Sequence, residues 1–149
     1  MPVNPELAGR QFPPTAPYLV GREKVREFAR AVFADDPQHT DPAAAAALGY
    51  ADVVAPPTFA IVVTDATLQQ LLAEPDSGIV LHNVLHAEQK FRYSRPIVAG
   101  DELTATLTVT GLRAMGGGAM VTSESEITDA AGEHVVTATS VLIVGEGDR

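Results

Sequence analysis

The sequence contains no cysteine, which excludes disulfides, thiolate catalysis and cysteine-based zinc sites. It has no tryptophan and only 5% aromatic residues, too few for the stacking platforms that hold single-stranded bases. Positive charge is scarce as well. Ten Lys and Arg against 19 Asp and Glu leave a formal net charge of −9, the wrong sign for a phosphate backbone, so nucleic acid is not an expected partner. No apolar run approaches the ~20 residues of a bilayer span, since Ala55 to Val63 is broken by Pro56, Pro57 and Thr58. No membrane partner is expected either. Nor does a basic, apolar leader open the chain, and with no cysteine the expected compartment is the cytoplasm.

What is present suffices for one core: 149 residues, 46% of them hydrophobic, match the size and composition of a single domain. Residues 1–17 carry Pro2, Pro5, Pro13, Pro14 and Pro17 and read as an extended N-terminal arm, held by Leu7, Phe12 and Tyr18. Residues 18–149 read as the domain proper. Val25, Phe28, Ala29, Val32 and Phe33 recur at helical spacing and predict a helix from Arg22 to Phe33, with Arg22, Arg26 and Arg30 interleaved with Glu23 and Glu27 on a solvated face. Asp41-Pro42 followed by five alanines and Gly49 predicts a second, short helix with its N-cap and its stop. A third helix, apolar nearly all round in its first half and hence buried, is expected from Pro56 to Ala73.

Beyond Ala73 the period shifts to two. Val84 to Tyr93, Glu102 to Leu112, Met120 to Thr128 and Glu133 to Val144 alternate apolar with polar residues and are rich in Val, Thr and Ile, which predicts four strands. The short breaks between them make neighbours antiparallel, with Gly116 to Gly118 read as a mobile hairpin turn rather than a phosphate cradle, because no helix follows it. A hydrophobic helix followed by such a sheet, with Leu103, Ala105, Leu107 and Val109 on the inward face, is satisfied by curling the sheet around the helix. The fold class is therefore α+β. Strands of this length leave open edges, and pairing across a twofold axis makes a dimer the expected state.

Few residues carry chemistry. Asp35, Asp36 and His39 follow the first helix, and taken alone they describe either a polar loop of turn formers or an acid/base site. His82 and His86 sit four apart on a predicted strand, which spans roughly 13 Å and is too far for one metal; a surface strand is expected there. His134 has no partner nearby in sequence and reads as exposed. Lys90, Arg92 and Arg95, with Arg113 placed near them, form either a charged outer sheet face or a patch for coenzyme A phosphates or an acidic carrier protein.

Three strings, "VGREKVREFARAVFADDPQH", "LGYADVVAPPTFA" and "FRYSRPIVAGDEL", together with this layout, resemble the hot-dog fold and, within it, the MaoC-like hydratases and dehydratases of acyl thioesters. The nearest resemblance is to the FAS1-like dehydratase or MaoC N-terminal domains. That group includes accessory, non-catalytic subunits of (3R)-hydroxyacyl-carrier-protein dehydratases. The resemblance implies an active-site string D-x-N-P-x-H, whose Asp and His orient a water or hydroxyl against the β-carbon. Registered on Pro37 and His39, the chain has His39 in place, Asp36 at the asparagine position and Ala34 where the catalytic aspartate belongs, with Asp35 one place late.

Active relatives also read G-x-x-G-x-x-A-H-G, and the final glycine offers a backbone N–H at the start of the buried helix to the thioester oxygen. Here Pro56 and Pro57 stand for that His and Gly. Proline has no N–H to donate, and losing one oxyanion donor typically costs about 10²–10³ in rate. Thr58 or Phe59 is left to offer an amide one residue on.

The resemblance thus implies a subunit that binds the acyl thioester of coenzyme A or a carrier protein in fatty-acid metabolism, through Asp36, Pro57, Thr58 and Phe59. It would serve as accessory partner to a catalytic MaoC-like subunit, with the third helix lining the acyl tunnel. The alternative is a self-sufficient homodimeric (R)-specific enoyl-thioester hydratase using His39 and Asp35 as catalytic residues. A third reading is a hot-dog thioesterase, for which Asp65 is the only carboxylate on the central helix. No cofactor and no metal are expected in any of the three.

Overall fold

The computed structural model describes residues 2–146. Alternation of apolar and polar residues produces long strands, and these pair antiparallel. A two-residue strand β1 (Tyr18–Leu19) precedes helix α1 (Arg22–Ala31), the short α2 (Pro42–Ala47) and the long α3 (Ala60–Ala73); then follow β2 (Val84–Tyr93), β3 (Glu102–Met115), β4 (Gly118–Thr128) and β5 (His134–Val144). The sheet order is β1-β3-β4-β5-β2. β3 and β4 join through Gly116 and Gly117, both at positive φ, the two-residue hairpin geometry that glycine adopts without strain.

The sheet curls around α3, as its sequence predicts. Leu103, Ala105, Leu107 and Val109 of β3 are all buried. They face α3 together with Val121 and Ile127 of β4 and Val136 and Leu142 of β5, and the apolar core divides into two clusters, one toward each end of α3. The outer face of β2, β4 and β5 carries Lys90, Arg92, Glu124 and Thr139 beside one another.

Two helix boundaries differ from the sequence expectation, each for a local reason. α1 stops at Ala31 rather than Phe33, because Phe33 takes a left-handed conformation with φ 58°. The Ala34 amide then donates to the Ala29 carbonyl and the Phe33 amide to Arg30, a Schellman ending. α2 ends the same way with Gly49 in that slot, at φ 90°. α3 begins at Ala60 rather than Pro56. Pro57 disfavours helical backbone at Pro56, and the chain winds in through tight i→i−3 bonds from Phe59 to Pro56, Ile61 to Thr58 and Val62 to Phe59.

The arm is bound more firmly than its prolines suggest. Leu7 and Phe12 are buried, as expected. In addition, the amides of Gly9, Phe12 and Thr15 donate to the carbonyls of Val109, Leu107 and Ala105 at 2.8, 2.8 and 2.9 Å, so the arm lies along the outer edge of β3. Among the described residues no such segment borders β2, which forms the opposite rim of the sheet.

Candidate functional site

Helix α1 builds the site by clamping two loops. Arg22 forms a bidentate pair with Asp52, Nε to Oδ1 and Nη2 to Oδ2, each at 2.9 Å, and Arg26, one turn on, donates to the Thr40 carbonyl at 2.9 Å. The face stays solvated, as the sequence predicts, with Arg22, Arg30, Glu23 and Glu27 exposed, but Arg22 and the half-buried Arg26 also hold loops from it. The Arg22 guanidinium, together with the Val53 amide, holds the Asp52 carboxyl below the ordinary carboxylate range. Between the clamps, His39 is buried, and its Nδ1 lies 2.6 Å from the Val54 carbonyl oxygen.

A carbonyl only accepts, so Nδ1 carries the proton and donates it. Nε2 of the neutral ring is then left with its lone pair, the arrangement of a general base. What is missing is a carboxylate. Asp35 and Asp36 are exposed; Asp36 meets His39 only through its backbone carbonyl, which accepts the His39 amide at 3.1 Å, and neither carboxylate bonds the ring. Position 34, where the resemblance requires an aspartate, is an alanine.

The Val54 strand segment leads directly into the start of α3. Pro57 and Thr58 are exposed while Phe59 is fully buried, its ring edge-on to Phe28 at 5.4 Å. The Phe59 amide is committed to Pro56 at 2.9 Å. Of the two candidate amides only that of Thr58 has no partner among the described residues. Tyr93, from β2, closes the helix start: its hydroxyl donates to the Pro57 carbonyl at 2.5 Å. Burial pushes the Tyr93 phenol up to about 12, partly opposed by the Ala60 backbone amide.

Alongside α3 a groove begins at Thr58 and passes Ile61, His86 and Phe91. Ile61 and His86 also line a cavity of about 160 Å³ between α3 and the sheet. Asp65 stands at its rim on the exposed side of α3. His86 is exposed on the edge strand β2, as a surface strand predicts, while bordering this groove, with Nε2 3.0 Å from Gln89 Oε1; His82, also exposed, lies in a turn before β2. No metal-binding cluster occurs among the described residues.

The remaining candidates are structural. His134 is half-buried rather than exposed, and its ring joins Ser94 Oγ at 2.5 Å and Thr137 Oγ1 at 2.7 Å. Arg95 is occupied by Asp101 and Asp129 at 2.8 and 3.2 Å, and Lys90 by Glu88. Arg113 pairs with Met120 near the hairpin, toward Ile143 on β5, whereas Arg92 pairs with Thr137; these stations lie roughly 20 Å apart. They do not form one basic patch. Sequence reasoning missed Tyr93, Val54 and the two arginine clamps; only the i, i+4 spacing of Arg22 and Arg26 signalled a shared face.

A curled antiparallel sheet around one buried helix, with an oriented histidine beside the helix start, defines a hot-dog protein of the MaoC-like dehydratase kind. The family model described as "FAS1-like, dehydratase domain region" matches residues 6–138. The chain belongs to that family. A UPF0336 protein from Clavibacter michiganensis subsp. michiganensis is 64% identical over 148 residues, 99% of either chain. A solved MaoC-like dehydratase superposes with a TM-score of 0.86 at 41% identity, over 95% of this chain. This chain spans only 43% of that protein. The C-terminally truncated HadBC (3R-hydroxyacyl-ACP dehydratase) complex from Mycobacterium tuberculosis matches with a TM-score of 0.82 and 33% identity, over 92% of this chain and 96% of that one. Among the described residues no helix is long and apolar enough to cross a membrane.

Proposed function

We propose that this chain is an acyl-thioester-binding subunit, paired with a catalytic MaoC-like relative that interconverts enoyl and (3R)-hydroxyacyl thioesters of coenzyme A or a carrier protein in fatty-acid metabolism. The observation that carries it is the half-kept site. His39 holds its ring and tautomer, yet the carboxylates of Asp35 and Asp36 stay in solvent without a bond to that ring. Pro57 removes the amide that would face the thioester oxygen, and Tyr93 takes up the Pro57 carbonyl. The groove from Thr58 into the cavity along α3 supplies room for the acyl group.

A partner is supported by the bare rim of β2, with Leu81 and Leu85 61% and 65% exposed beside it, and by the complex among the structural relatives. The cysteine-free composition suits the cytoplasm. Co-expression with candidate catalytic relatives from the same cell, followed by sizing and a dehydration assay with and without this chain, tests the proposal. Assembly and activity that ignore its presence overturn it.

A second reading rests on the unpartnered Thr58 amide and the free Nε2 of His39: a self-sufficient homodimeric (R)-specific hydratase. In it His39 takes the proton of the attacking water and Thr58 steadies the oxygen. Turnover of crotonyl-coenzyme A by the purified chain, abolished by His39→Ala, favours this version.

A further inference from the structure

Resting on the acyl-thioester reading above, we infer that the cavity along α3 is built for an acyl chain that carries a hydroxyl group far from the thioester, rather than for a plain aliphatic tail. The two apolar clusters of the core are separated by a band of hydroxyl side chains. Thr64 and Thr67 enter it from α3, Ser123 and Ser125 from β4, and Ser140 from β5 directly opposite Ser123. Leucines of one cluster close it on one side, among them Leu107 opposite Ser125. At about 160 Å³ the space matches a cavity of about 150 Å³ that holds one benzene when its walls are purely apolar.

Donors and acceptors in this band are unequal. Thr67 gives its proton to the Thr64 carbonyl at 2.7 Å, so Ser125 must donate to Thr67 across 3.0 Å. Ser140 donates to Gln89 Oε1 at 2.6 Å, and Thr64 to the Ile61 carbonyl at 3.3 Å. Each of these four hydroxyls has spent its single proton and keeps acceptor lone pairs. Ser123 alone has a hydroxyl without a partner, on a residue only 5% exposed.

The walls therefore offer acceptors and one free donor. A guest hydroxyl, which both gives and takes a hydrogen bond, fits that set; a carbonyl or carboxylate has no proton for the acceptors. A plain chain would displace water from the band without replacing its hydrogen bonds, which loses affinity. Position along the chain follows from the helix. Thr67 lies about 10 Å along the axis from Ala60, and an extended chain advances roughly 1.2 Å per bond. The hydroxyl accordingly belongs about eight bonds beyond the thioester, in a medium-length acyl group.

The test is calorimetric titration of the full-length chain with octanoyl-coenzyme A and 8-hydroxyoctanoyl-coenzyme A. The hydroxylated thioester is expected to bind about three- to tenfold more tightly, and Ser123→Ala to abolish that preference. Equal or tighter binding of octanoyl-coenzyme A overturns the inference alone, as does a preference that survives Ser123→Ala. Binding of neither thioester overturns the acyl-thioester reading itself.

Discussion

The ring of His39 and the carbonyl of Val54 meet at 2.6 Å, fifteen residues apart in sequence and three residues ahead of Pro57. This bond ties the histidine loop to the segment that launches α3, so the candidate base and the candidate thioester site move as one piece. Arg22 and Arg26 brace it from either side through Asp52 and Thr40.

Replacing His39 by Ala leaves the Val54 carbonyl unpaired in a buried position. A loss of about 1–3 kcal/mol of stability is expected, read by urea denaturation. A smaller penalty for His39→Asn, whose amide can still donate, would confirm that the lost hydrogen bond and not the lost volume is responsible.

Phe33 occupies the left-handed slot that Gly49 fills at the end of α2, and its side chain is 85% exposed. It gains nothing from burial while carrying the backbone cost of a positive φ. Phe33→Gly is expected to stabilise the chain by about 1 kcal/mol, or raise the melting temperature by about 2–4 °C. The reverse test, Gly49→Ala, should destabilise by a similar amount.

Tyr93 predicts a specific alkaline behaviour. Burial favours its neutral form, so the folded chain keeps the phenolic proton up to about 12 while the unfolded chain releases it at the ordinary 10.0. Its contribution to stability is complete below pH 10.0 and is lost as the pH climbs toward 12. Burial raises the Tyr18 phenol too, by less, so in a spectrophotometric titration Tyr93 should be the last phenol to ionise, and Tyr93→Phe should remove that latest component and flatten the decline in stability.

Leu85 tests the bare rim. Leu85→Lys places a charge where a partner strand would dock, and its 65% exposure makes the change neutral for the isolated fold. Size-exclusion chromatography is expected to show loss of the assembled species with the circular dichroism unchanged. An oligomer of undiminished size would locate the partner surface elsewhere.

Restoring the missing chemistry tests the proposed accessory role. Ala34→Asp with Asp36→Asn and Pro57→Gly rebuilds the carboxylate, its neighbour and the helix-start amide. A gain of about 10²-fold or more in crotonyl-coenzyme A hydration is expected, provided Tyr93→Phe is included to release the helix start. A parent chain already as active as the rebuilt one would contradict the proposed defect.

Period and punctuation made most of the architecture legible. Two-residue alternation located β2 to β5 to within about three residues at each end, and Asp41-Pro42 and Gly49 bracketed α2, because those signals are local and each side chain's role is set by its own backbone. The arm's pairing with β3 was not legible, since its hydrogen bonds run through backbone groups whose side chains carry no alternation. The start of α3 was misplaced because Pro56 is compatible with a first turn until the second proline is considered. His134 gave no hint of Ser94, which is brought beside it by the pairing of β2 with β5. The hydroxyl band escaped notice for a similar reason: five Ser and Thr residues on three elements become neighbours only after the sheet has curled.

The N-terminal strap has a consequence for assembly that its modest length conceals. By stoppering the β3 flank it leaves the sheet a single place to grow, and a ribbon that can be extended on one side only is finished after one addition. Pairs can form; ladders cannot.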